Sequence, residues 1–118
     1  MIPPQFIERF TGDSGVDVGT ESLDAVFPDG EKIRVVLRIG TPYKKDNTDD
    51  FFSIRVELEN LDRTDGPLSG CSSLGAIATA LRFIICRLEI FTERHGCRYV
   101  WPDTNEPFDF HLAFSTSK

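Results

Sequence analysis

Apolar and polar side chains alternate along several stretches of the chain and recur at three- and four-residue spacing along one other. From Leu23 the pattern places Leu23, Ala25 and Phe27 on one face and Asp24 and Val26 on the other, until Pro28-Asp29-Gly30 turns the chain. Lys32 to Ile39 then alternates again, with Ile33, Val35, Leu37 and Ile39 opposite Arg34, Val36 and Arg38, so the two runs predict a β-hairpin. After a polar loop from Tyr43 to Asp50, Phe52, Ile54, Val56 and Leu58 alternate with Arg55, Glu57 and Glu59, which predicts a third strand. Paired antiparallel with its predecessor, that strand sets Glu57 and Glu59 on the same sheet face as Arg34 and Arg38.

The period then changes. Leu74, Ile77, Ala78, Leu81, Ile84, Ile85, Leu88 and Phe91 follow helical spacing, Ser72 or Ser73 is a capping residue, and Gly96 after Arg94 and His95 is a stop. A helix over about 72–95 follows. Arg98 to Trp101 reads as a short strand, and Phe108, Phe110, Leu112 and Phe114 alternate as a final strand or strand-like tail. The simplest architecture that buries these faces is α+β: an antiparallel sheet of three to five strands packed on one long helix. The chain is then a single domain, 1–118, with an N-terminal arm and flexible loop over 1–20, a β-β-β-α-β core over 21–101 and a C-terminal tail over 102–118. The arm carries Ile2, Phe6, Ile7 and Phe10, and glycines and aspartates fill the loop after it.

The helix has a second apolar stripe. Phe83, Cys86 and Ile90 fall roughly opposite the main one, bordered by Arg82, Arg87 and Glu89. A helix on a sheet needs one apolar face, so the arm or the tail covers this stripe, or another chain meets it, either a second copy or a foreign partner.

Composition narrows the function classes. At 118 residues and 27% charged, the chain is an ordinary globular domain rather than a disordered or fibrous one. Thirteen Lys and Arg against nineteen Asp and Glu leave a net charge of −6, which disfavours phosphate-backbone binding and favours a basic partner. The charge is blocky: residues 1–31 carry seven acids and one base, 32–45 five bases and no acid, 46–65 seven acids and two bases. No apolar run approaches the roughly 20 residues of a membrane span, and Met1-Ile2-Pro3-Pro4-Gln5 lacks the regions of a signal peptide, so a cytoplasmic location is expected and no membrane partner.

Candidate chemistry is thin. Cys71, Cys86 and Cys97 are spaced neither as a disulfide framework nor as a zinc site, and reduced thiols are expected. His95 and Cys97 sit close together and could join His111 around a metal, but in a chain with two histidines chance proximity is the better reading, and no metal or other cofactor is assigned. Gly12-Asp13-Ser14-Gly15 lacks the partners of a protease nucleophile, the Gly12, Gly15, Gly19 spacing is not that of a dinucleotide loop, and the acids around Asp46 to Asp50 lack the order of a calcium loop. A general acid/base pair could be drawn from Asp103, Glu106, Asp109 and His111 near Trp101.

Asp29-Gly30 before a strand, Arg38-Ile39-Gly40-Thr41-Pro42 at its end, Asp50-Phe51-Phe52 opening the next, Gly70 ahead of a helix bearing Ala76, Ala80 and Leu81, and the closing Trp101 together resemble a small bacterial family known only as a domain of unknown function. The resemblance covers roughly 23–101. It implies a strand–strand–strand–helix fold and carries no catalytic residue.

These readings lead to an expectation of a non-catalytic, acidic protein-binding module, an immunity protein that occludes a basic toxin domain. Asp49, Asp50, Asp62 and Asp65 would supply the charge, and Phe83 and Ile90, with Arg87 at their border, the apolar anchor. The alternatives are a homodimeric structural protein joined through Phe83, Cys86 and Ile90, and a small ligand-binding or enzyme domain built on the Trp101 to His111 region.

Overall fold

The structure is a computed structural model that describes residues 12–46, 50–61 and 66–114. Among the described residues six strands and two helices follow in the order β1 (Asp17–Val26), β2 (Lys32–Gly40), β3 (Phe52–Ile54), β4 (Val56–Glu59), β5 (Leu68–Gly70), α1 (Ser73–His95), β6 (Arg98–Val100) and α2 (Phe110–Phe114). The fold is α+β: a four-stranded antiparallel sheet ordered β4-β2-β1-β6 and a two-stranded sheet of β3 and β5, with the long helix α1 packed against them. Among the described residues no helix is long and apolar enough to cross a membrane.

The expected hairpin forms. β1 and β2 pair from Asp17↔Gly40 to Val26↔Lys32 with an irregularity between Asp17 and Gly19. At the closed end Phe27 N–H donates to the Glu31 carbonyl at 2.8 Å, and Gly30 takes the positive φ of 92° that the turn requires. Leu23, Ala25, Val35, Leu37 and Ile39 are buried on the inner face. On the outer face the charge blocks neutralise one another across the sheet. Arg38 lies opposite Glu57 and within 3.0 Å of Glu59, as the sequence suggests, whereas Arg34 turns to its hairpin neighbour Asp24 at 2.7 Å.

The third alternating run does not stay in one sheet. Phe52–Ile54 pairs with β5, Val56–Glu59 pairs with β2, and Arg55 sits at the corner between them. The three residues Leu68–Gly70 supply the partner for the first half. Both Ile54 and Val56 are buried, so the strand keeps contributing to one core while changing partners.

α1 starts and stops where the sequence places it. Ser72 Oγ accepts from Gly75 N–H at 3.0 Å, and Gly96 closes the helix in the left-handed region with φ 67°. Its buried side chains are Ala76, Ala80, Ile84 and Leu88, with Ile77, Leu81, Phe83 and Phe91 packed alongside. At about 100° per residue this face is turned roughly 70° from the centre of the stripe expected from sequence. Leu74, expected inside, is 76% exposed, and Phe83, assigned to the second stripe, packs on the core. Gly70 supplies the reason: a Cβ there would run into the backbone of Gly75 and Ala76, so helix and strand touch backbone to backbone. Only the alanine row of α1 can face so close a neighbour.

The tail corrects the sequence reading. Phe108 N–H bonds to the Tyr99 carbonyl, but residues Phe110–Phe114 then form α2 instead of a strand. Asp109 is responsible: its Oδ1 accepts from the N–H groups of His111 at 3.0 Å and Leu112 at 3.3 Å, an N-terminal cap that starts a helical turn. α2 lies on α1, where His111 Nε2 meets Glu89 Oε2 at 2.9 Å and the Phe110 ring stands edge-on to Tyr99.

Candidate functional site

β1 is much longer than the strand on its outer side. β6 pairs with it only at Asp24, Ala25 and Val26, so among the described residues Asp17–Leu23 has β2 on one side and an open edge on the other. The hairpin closure at Phe27 fixes which groups point there. Counting back by twos, Leu23, Glu21 and Gly19 bond to β2, and Ser22 and Thr20 direct their N–H and C=O outward. Val16 and Val18, just before them, are 61% and 52% exposed.

Beneath this edge the sheet and α1 leave an open cleft of about 170 Å³. Gly19, Thr20 and Glu21 of β1 form one wall, Leu37 and Ile39 of β2 the floor, and Leu81 and Ile84 of α1 the other wall. The lining is mostly apolar, with Thr20 and Glu21 its polar members and Glu21 its one charged group, and no cation stands within ion-pair distance of that carboxylate among the described residues. The rotation of α1 explains the cleft. Turning its buried face toward Gly70 and Phe83 draws the opposite flank of the expected stripe, Ala78 and Ile85, only halfway under cover.

The open end of β1 is held in place by the most buried ion cluster of the described residues. The Arg55 guanidinium donates through Nε to Asp13, lies 2.8 Å from Asp17 through Nη2 and 3.6 Å from Glu57 through Nη1. The side chains of Arg55 and Asp13 are 5% and 4% exposed, so this contact is made away from water. Gly40 leaves room for the guanidinium, because a Cβ there would stand 2.7 Å from Arg55 Nη2 and displace it. Burial opposes the charge on Arg55, but its bonds to Asp13 and Asp17 and the field of Asp13 and Glu57 outweigh that and hold its pKa above the usual arginine value. Tyr43 lies against the cluster, its hydroxyl buried with no partner among the described residues, and burial with the Asp13 charge pushes its pKa up.

The residues singled out from sequence are scattered. Asp50 is exposed beside Phe51, itself 57% exposed; Asp49, Asp62 and Asp65 lie outside the described residues. Phe83 packs on the core, and Arg87 and Ile90 are half-buried. Of the Trp101 to His111 set, Trp101 stands edge-on to Phe108 at 4.7 Å, Asp109 caps α2 and His111 pairs with Glu89. His95 packs on Phe91 and Phe27, and Cys97 is buried. Sequence reasoning missed the edge. The signal available to it was a length mismatch, ten residues in β1 against three in β6, which becomes visible only when the strand order is known. Comparison with known proteins finds no matching family model, no matching curated protein and no matching solved structure.

Proposed function

We propose that the chain is a non-catalytic protein-binding module of the bacterial cytoplasm, an immunity protein that occludes a basic toxin domain. The observation that carries the reading is the largely apolar cleft beside a strand edge that is open among the described residues, with one carboxylate in its wall that no described cation pairs. Apolar burial in such a cleft slows dissociation, and a net charge of −6 speeds encounter with a basic surface. Of the polar groups around Trp101, Asp109 caps α2 and His111 contacts Glu89, which favours binding over turnover for these two. Membership of the small bacterial family of unknown function belongs to the same proposal, through Gly40 and Gly70, whose close contacts fix the Arg55 corner and the pitch of α1.

The test is capture of partners by the tagged full chain from its own cells, followed by titration calorimetry with the purified captured polypeptide. The expected result is a one-to-one complex with a basic protein whose association slows as salt is raised. Absence of any complex at tens of micromolar, or equal binding of acidic and basic polypeptides, overturns the reading.

A further inference from the structure

We propose that the partner binds by strand addition: an extended segment of a basic protein pairs with β1 along Asp17–Leu23, continuing the line of β6. This rests on the protein-binding reading and specifies how it is carried out. Three observations converge on it. The outward N–H and C=O groups of Thr20 and Ser22 offer a ladder that β6 already uses two residues further on, at Asp24 and Val26. The cleft under the same edge receives alternate side chains of an added strand, and its floor of Leu37 and Ile39 asks for apolar ones. Glu21 then meets whichever side chain crosses its wall, and with no cation of its own among the described residues it selects Lys or Arg there.

A second copy fits the edge less well than a basic segment. Two antiparallel β1 strands would bring together chains that each carry −6, and would set another Asp17 and Glu21 beside an edge whose Glu21 has no cation among the described residues. Edge position is also kept firm, since the Arg55 cluster fixes Asp17 at the end of the open stretch. A preformed strand edge loses little conformational freedom on pairing.

The probe is a synthetic peptide of about eight residues, alternating valine and threonine with one central lysine, titrated into the isotope-labelled full chain and followed by amide chemical shifts. Shifts confined to Asp17–Leu23, Leu81 and Ile84 are expected. The same peptide methylated on alternate backbone nitrogens should bind about tenfold more weakly, as should one carrying glutamate for lysine. In the protein, Thr20→Pro removes an outward donor and leaves the β2 ladder intact, and Glu21→Gln keeps the fold should the proline variant fail to form. Equal affinity of the methylated and unmethylated peptides overturns the proposal. So does a dimer in light scattering that Thr20→Pro dissolves, which assigns the edge to a second copy. A rise in peptide affinity on Phe6→Ser with Phe10→Ser overturns it in favour of the N-terminal residues. A natural partner that binds Thr20→Pro as tightly as the parent overturns strand addition while leaving the binding function standing.

Discussion

Arg55 joins three carboxylates where the chain passes from the small sheet to the large one. Removing one member of a buried ion pair leaves the other charge without compensation, so Arg55→Ala should lower stability by about 3–5 kcal/mol in urea denaturation, far more than Arg34→Ala at the half-exposed pair with Asp24. Two tyrosines set the alkaline limit. Tyr99 donates to the Leu88 carbonyl at 2.9 Å, and burial raises its pKa, as it does that of Tyr43. Above the ordinary tyrosine value of 10.0 the unfolded chain has lost protons that the folded chain keeps. Stability therefore falls as pH rises through and beyond that value. Denaturation between about pH 9 and pH 11 should show this decline, with a shallower slope in Tyr43→Phe and in Tyr99→Phe. None of this was visible in sequence, where Arg55 is one polar position in an alternating strand; its burial follows from a partner brought across from Asp13.

At the scale of elements, periodicity identified the hairpin, the helix and its caps because each depends on neighbours close in sequence. It failed where two periods coincide. Phe110 and Phe114 are two positions of an alternating strand and also one turn of a helix, and the Asp109 cap decides between them. Asp109→Ala should loosen α2 by about 1 kcal/mol, read as faster amide exchange over Phe110–Phe114 with α1 unaffected. The direction in which α1 faces was equally hidden, because the close approach to Gly70 that turns it is made by a strand distant in pattern if near in sequence. Phe83→Asp puts a charge against the core and should cost about 3 kcal/mol or abolish folding, whereas Leu74→Asp on the exposed first turn should change stability by less than about 0.5 kcal/mol. The candidate site shared this fate. The sequence offered acids and a helix stripe as its parts, and the cleft arises instead from the sheet order and the turn of the helix.

The whole molecule presents its thiols unevenly. Cys71 and Cys86 are exposed and Cys97 is buried, so a thiol reagent should modify two of the three under native conditions and the third only after denaturation. The open edge of β1 bears on a different property of the folded chain. A strand whose edge is open among the described residues, carrying exposed Val18 and preceded by exposed Val16, is a template on which further copies can polymerise, and sheets so joined have no natural end. Like charge keeps the copies apart at neutral pH. Near the isoelectric point of 4.8 that guard disappears, and concentrated solutions without a partner should form edge-joined aggregates detectable by dye binding and turbidity. The acidity of this chain thus serves as its protection against its own unfinished sheet.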